Sequence, residues 1–354
     1  MHADIAPQSP ARTEPKSAMD CKLVSRRRWL GAAAAVLVTV FVWANRHELP
    51  ATWRSLVTAR PVWVLAAAAL MVAWMVNDTG LYRATLRATG VKLTAGAVAA
   101  GALVAHFLNL TTKSAGMAGL VALRGEARRV GLPERSVTAG YVLAGTLTEM
   151  AFAVTVLASF VVLATDGRLT APDLVALVVF VLYAGTRLMV LLAATRDRDR
   201  LRALFRIPGR VMARVRRKSQ SSGWARTDAV ADELFDVFQG VRSRPRVLLP
   251  AVIHALATEV IAVAILWACV QAVAATVSPL QLMVAYSVSG LFGIIGFLPG
   301  GLGFVEVSLS AVLVGFGTAG ATATAAVVLF RVFELWIPVV VGAALAHRLR
   351  MVHQ

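Results

Sequence analysis

Residues 293–310 read GIIGFLPGGLGFVEVSLS: an apolar run broken by Pro299, with glycines at Gly296, Gly300, Gly301 and Gly303 and one acid, Glu306. Proline removes a backbone donor and closely spaced glycines favour non-helical conformations, so no regular helix passes through LPGGLG. The flanks on both sides remain apolar, which makes this a hydrophobic segment interrupted rather than a surface loop. Two readings stand for the break. One is a kink or close helix contact, since glycine is common in membrane helices. The other is a re-entrant hairpin, whose loose backbone is tolerated at membrane depth only if buried in protein or lining a cavity.

Composition sets the context. Of the 354 residues, 58% are hydrophobic and 16% charged, and mean hydropathy is +0.70, which places the chain among integral membrane proteins rather than soluble domains. Apolar segments lie at 29–45, 61–81, 94–112, 136–165, 174–195, 247–276, 279–318 and 320–347, most near the ~20 residues needed to cross a bilayer. Val42-Trp43-Ala44 loosely fits a signal cleavage site, but the 28-residue polar leader ending in Arg26-Arg27-Arg28 is long for a signal peptide, so 29–45 reads as a retained first span. Cys21 and Cys269 form no disulfide framework.

The net charge of +17 does not indicate nucleic-acid binding, because the Lys and Arg residues lie between spans and form no separate basic domain. It reports orientation instead, since basic residues gather in cytoplasmic loops. Six occur in the leader and fourteen between Arg196 and Arg246, so these regions belong on one side. Five apolar segments separate them, which an all-spanning topology cannot reconcile. The conflict disappears if 94–123 enters and leaves by the same face. Its middle, LNLTTKSAGMAG at 108–119, is too polar for a plain span, and Arg83, Arg87 and Lys92 precede it while Arg124, Arg128, Arg129 and Arg135 follow. With Lys113, Arg187 and Arg331 set aside as intramembrane and Arg348 and Arg350 added, twenty-nine basic residues fall on the cytoplasmic side. Four, Arg46, Arg54, Arg60 and Arg168, fall on the other.

The expected architecture is therefore an all-α polytopic membrane protein. It has about six full spans and two broken re-entrant hairpins, 94–123 and 279–318, entering from opposite faces. Domain organisation follows: a polar basic tail over 1–28, a single membrane domain over 29–348 with a basic amphipathic loop at 196–246, and a short tail at 349–354. Both termini are expected in the cytoplasm. Within the loop, 201–218 mixes apolar and basic positions as an interfacial helix does. The stripe Val230, Leu234, Val237, Phe238 and Val241 predicts a helix packing on the membrane domain.

Ionisable residues inside a membrane are functional candidates. Glu149, Glu259, Glu306 and Glu334 are the acids, open to coupling or structural roles. Arg331, three residues before Glu334, is either half of an intrahelical ion pair or a partner for a lipid phosphate. Glu306 follows the glycines, where a carboxylate favours a helix N-terminus. Asn109, Lys113, Ser114 and Gly116 at the first break, with Pro299, Gly300, Gly301 and Gly303 at the second, are the candidate head-group contacts. His106 and His254 lack metal-ligand spacing, and the sequence contains no P-loop, His-Glu-x-x-His or nucleophile elbow. No metal, cofactor or enzymatic activity is expected.

FLPGGLGFVE, preceded by Ser287, Ser289 and Gly290, resembles the membrane region of lysylphosphatidylglycerol synthases and the stand-alone flippase-like proteins related to them. HFLNLTTKSAGMAGLVALRGEARRVGLPERS, residues 106–136, occupies the place of that family's other glycine-rich element. The chain departs from the family in having Thr111 to Gly116 without a proline or acid, and Glu149-Met150 where Glu-Arg is frequent. The resemblance implies a bacterial-type inner-membrane protein that moves, or helps move, an anionic phospholipid or isoprenoid-linked lipid between leaflets. Its partners would be membrane lipids. The alternative is a non-transporting scaffold for a lipid-modifying enzyme or glycosyltransferase. With the last span ending just before Gln354, an aminoacyl-transferase domain and lipid aminoacylation are not expected.

Overall fold

In the computed structural model, the described residues are 49–111, 117–129, 131–165, 167, 171–203, 206, 221–296 and 298–351, all within one compact unit, His47–Gln354. The expected first span at 29–45 and most of 201–218 lie outside them. So do Lys113, Ser114 and Gly116. The described residues are helices joined by short connections, with no strand among them.

The helices are α1 (Leu49–Val57), α2 (Pro61–Ala88), α3 (Ala95–Thr111), α4 (Met117–Arg129), α5 (Glu134–Thr165), α6 (Ala171–Arg196) and α7 (Ser221–Arg242). After a 3-10 turn at Pro245–Leu248 come α8 (Leu249–Ala272), α9 (Pro279–Ile295), α10 (Phe304–Gly315), α11 (Gly320–Arg331) and α12 (Ile337–Met351). Among the described residues, four continuous helical stretches, Pro61–Ala88, Glu134–Thr165, Pro245–Ala272 and Gly320–Arg348, are long and apolar enough to cross a membrane. The helix α6 has 26 residues, about 39 Å at 1.5 Å per residue. Large apolar side chains such as Leu157, Val161, Leu182, Met189 and Val260 lie more than half exposed on the outer faces of α5, α6 and α8, as lipid-facing surfaces require.

The core sits where α2, α8, α9, α10 and α11 meet. Leu266, Cys269, Leu282, Leu309 and Leu313 are fully buried there. Helices α2 and α8 run antiparallel. Arg60 N–H donates to Ala272 C=O at 2.8 Å at one end, and Asn77 Nδ2 donates to His254 C=O at 2.8 Å and Thr258 Oγ1 at 2.9 Å farther along. A Cβ on Gly80 would lie 2.4 Å from the His254 ring, so this glycine permits the close approach of the two helices. Helix α5 is bound to α9 by Ser159 Oγ, 2.8 Å from Ser287 Oγ, and Gly290 leaves room for the Phe152 ring. Hydroxyl pairs and small residues substitute here for a hydrophobic driving force, which lipid does not supply between helices.

The predicted break at LPGGLG is present; residues 112–116 of the first lie outside the described residues, with α3 ending at Thr111 and α4 beginning at Met117 on either side. Helices α3 and α4 pack against each other as two halves of one segment, as do α9 and α10. The second hairpin opens with a capping box, in which Ser278 Oγ accepts the Gln281 N–H at 3.3 Å and Gln281 Oε1 accepts the Ser278 N–H at 3.0 Å. The last span differs from the uninterrupted helix expected over 320–347. Val332–Trp336 is a π-helical turn between α11 and α12. The reason is Pro338: it has no N–H for the Glu334 carbonyl four residues earlier, and its ring crowds that carbonyl.

On the basic side, α7 packs on α5 through Ala231, Leu234, Phe238 and Val241, against Ala139 and Leu143. Leu234, Val237, Phe238 and Val241 of the predicted apolar stripe thus form the face that meets the membrane domain; the Val230 side chain lies outside the described ones. The polar face of α7 binds the helical stretch 198–203 and Arg206 through three successive ion pairs, Arg198–Asp236, Arg202–Asp232 and Arg206–Asp228. One partner advances four residues each time as the other retreats four, the register of two antiparallel helices.

Candidate functional site

The sequence LPGGLG folds as a 3-10 turn, Pro299–Gly301, between the two half-helices. Gly300 has φ +62° and Gly301 φ +65°, the left-handed region that L side chains rarely adopt. Space is limiting as well. A Cβ on Gly300 would come within 2.8 Å of Leu335 Cδ1 in the π turn and 3.9 Å of the Leu110 carbonyl at the end of α3. The tip of the second hairpin therefore touches both the end of the first half of the other hairpin and the π turn.

Arg331, 3% exposed, joins these pieces. Its Nε donates to Glu306 Oε1 at 2.7 Å, Nη1 to Glu334 Oε2 at 2.5 Å and Nη2 to the Gly300 carbonyl at 2.7 Å. The other oxygen of Glu306 accepts the Gly303 N–H at 2.6 Å, satisfying a donor at the start of α10 and placing negative charge at the positive end of that helix. One guanidinium thus ties the loop backbone, the second half-helix and the final span together. The carbonyl freed by the broken helix finds a buried donor, as backbone at membrane depth must. Two carboxylates converge on this one guanidinium, so acid is in formal excess.

Tyr286 on α9 is near enough to Glu259 on α8 and to Glu334 to feel the charge of each. Glu259 is 5% exposed, and its Oε2 has no hydrogen-bond partner among the described residues. The acidic surroundings of Arg331 thereby extend toward α8.

The first hairpin is closed by a side chain. Asn109 Oδ1 accepts the Gly119 N–H at 3.1 Å, in the first turn of α4, and Asn109 Nδ2 donates to Tyr141 Oη at 2.7 Å. A Cβ on Gly119 would lie 2.6 Å from the Tyr141 hydroxyl and 2.9 Å from Ala105 Cβ, so glycine is needed where the two halves meet. Each hairpin thus carries a side-chain oxygen on the opening N–H groups of its second half, Asn109 in one and Glu306 in the other.

Of the predicted site residues, Pro299, Gly300, Gly301, Gly303, Glu306, Arg331 and Glu334 come together in one contact network. Asn109 stands beside it, one residue before Leu110. Glu149 lies elsewhere, where Tyr183 Oη donates to its Oε1 at 2.9 Å across α5 and α6. The two histidines in the apolar segments have other neighbours. His254 Nδ1 is 2.8 Å from Asn77 Oδ1, and the His106 ring packs edge-on against Trp74 with centroids 4.9 Å apart.

Sequence reasoning missed Asp78, 8% exposed and with Oδ2 unpartnered among the described residues. The polar triplet Asn77-Asp78-Thr79 inside an apolar run was the available signal. It also missed Tyr286, which looks like any aromatic until its neighbour on another helix is known.

The chain is an all-helical polytopic membrane protein in which the broken segment at Pro299–Gly301 is held at a buried arginine. Residues 28–342 match the family Lysylphosphatidylglycerol synthase TM region, and the chain belongs to that family. Among curated proteins no significant match was found.

Proposed function

We propose that this chain is a flippase-like protein of the cytoplasmic membrane that moves, or supports the movement of, a phosphate-bearing lipid between leaflets, with the hairpin contact at Arg331 as the moving part. Family membership supports a membrane-embedded, lipid-related role. The observation that carries the finer reading is the set of three protein acceptors on Arg331, which bridges elements that a translocation event would have to separate.

In this state Arg331 is fully engaged by Glu306, Glu334 and the Gly300 carbonyl. A phosphate entering between the hairpins competes for the guanidinium, whose planar fork suits either acceptor. As it takes Arg331, the loop at Pro299–Gly301 loses its anchor and α10 becomes able to move against α11. The excess of carboxylates opposes a second negative charge, so entry of phosphate is accompanied by a proton on Glu306 or Glu334. Asn109, Lys113, Ser114 and Gly116 act at the other hairpin as head-group contacts.

Leaflet-resolved transport of labelled phosphatidylglycerol and of a labelled polyprenyl phosphate in proteoliposomes is the test. Arg331→Lys should abolish transport of the lipid that is moved while the protein still folds, because lysine keeps the charge but cannot hold three acceptors in a plane. Transport unchanged by both Arg331→Lys and Glu306→Gln rejects this site. No transport by the wild type, together with stoichiometric co-purification of a lipid-modifying enzyme, selects the scaffold role.

A further inference from the structure

A second basic site lies away from the hairpins. Between the end of α2, the last turns of α7 and the turn into Pro245–Leu248 is a cavity of about 440 Å³, within the size range of small-molecule sites. Arg87, Gly90, Asp236, Ser243, Arg244 and Val247 are among its walls.

The charges in its walls are unequal. Asp236 is held by Arg198. Arg87 and Arg244, in contrast, make no ion pair and no side-chain hydrogen bond among the described residues. Neighbouring arginines on this side differ: Arg124 and Arg128 share Glu134, while Arg202 and Arg206 each hold an aspartate. Arg83 sits one helical turn before Arg87, on the same face of α2, and its Nε is buried without a partner among the described residues. The carbonyl ends of α2 and α7 also point to this region and account for part of the attraction of cations to it. They do not supply the planar, bidentate partner that two guanidinium forks can hold. The hydroxyl of Ser243 donates to Gly240 C=O at 2.9 Å, leaving its oxygen lone pairs but no donor, so the arginines provide the grip.

The rim identifies the source of the anion. Val247 lines the cavity and is 40% exposed, and Leu249 beside it, opening α8, is 60% exposed. Apolar side chains therefore stand next to the arginines at the end of two membrane-spanning helices, the arrangement of an interfacial lipid site. A soluble phosphate gains nothing from Val247 and Leu249.

We propose that this cavity binds the phosphate of a membrane phospholipid, held between Arg87 and Arg244, with the acyl chains leaving past Val247 and Leu249. The site is distinct from the contact at Arg331 and does not rest on its reading.

The experiment measures the unfolding temperature of the purified full-length protein in detergent while dioctanoyl phosphatidylglycerol, dioctanoylglycerol or inorganic phosphate is titrated. The expected result is saturable stabilisation by the phospholipid alone. Arg87→Gln with Arg244→Gln should raise the half-saturating concentration about tenfold or more, as expected when charge-assisted contacts are removed, while Arg246→Gln leaves it unchanged. If the double Gln variant does not fold, Arg87→Lys with Arg244→Lys, which keeps the charge and removes the forks, should still weaken binding severalfold. Equal potency of inorganic phosphate, equal stabilisation by dioctanoylglycerol, or an equal loss in Arg246→Gln would each overturn the proposal. So would a double variant, Gln or Lys, that binds as the wild type does.

Discussion

At the residue scale, the contact at Arg331 separates packing from charge. Removing the guanidinium leaves Glu306 and the Gly300 carbonyl buried without their donor. Arg331→Ala is therefore expected to cost about 3 kcal/mol or more, in line with breaking a buried ion pair from one side. Glu306→Gln should cost less, because the amide oxygen can still accept from Gly303 or Arg331. Thermal unfolding in detergent compares the two, and equal losses would mean that the carboxylate charge, not the donor network, holds the loop. Gly300 offers a second test. Gly300→Ala meets both a left-handed backbone and Leu335 Cδ1 at 2.8 Å, and should destabilise by roughly 1–3 kcal/mol. Adding Leu335→Ala removes the clash but not the backbone strain, so rescue should be partial.

At the element scale, α7 illustrates how far a pattern leads. Its apolar stripe predicts that it packs on the membrane domain, and its acids predict a charged outer face. What the stripe does not contain is the identity of the basic partner, which depends on the chain folding back through 198–206 in antiparallel register. The Arg206 side chain holds the Asp228 carboxyl below its ordinary value, and Arg202 does the same for Asp232, in each case mainly by hydrogen bonding. A depressed carboxylate contributes stability that is present above its unfolded value and lost as pH falls through the folded one. Docking of this helical pair should thus be insensitive to pH near neutrality and weaken below about pH 4, since 3.8 is the ordinary value. Asp232→Arg should increase protease cleavage between 203 and 242, and the swap of Arg202→Asp with Asp232→Arg should restore protection. Failure of the swap would show that the apolar face alone secures α7. The π turn was not legible by the same reasoning: a single proline in a hydrophobic span signals a kink, and only its neighbours decide whether an extra residue is taken up.

At the scale of the whole molecule, the hairpin topology gives a sharp expectation for membrane sidedness. Cysteines introduced at Gly131 and Ser243 should react with an impermeant thiol reagent from one side only, the same side for both. One introduced at Gly317, between α10 and α11, should react only from the other. Labelling of 131 and 317 from the same side would dismiss the opposed hairpins. The charge tally that motivated this topology concerns loops, whose basic residues are counted wherever they stand. It is therefore robust to every detail of packing that the sequence leaves open.

The amino-acid sequence by itself determined that the chain is a helical membrane protein, that it breaks at LPGGLG, and that α7 presents an apolar stripe to the membrane domain. These are local properties: hydropathy, proline, glycine and helical period act within a few residues. Only the tertiary structure decided what Arg331 holds. Its partners at Gly300 and Glu306 lie 31 and 25 residues away, and no spacing rule links positions on different helices. Glu334, three residues on, was the one partner a helical period could offer. The same holds for Asn77 and His254, and for Arg87 and Arg244, which have no partner among the described residues. A buried polar group must find a partner, but which partner depends on how the helices cross.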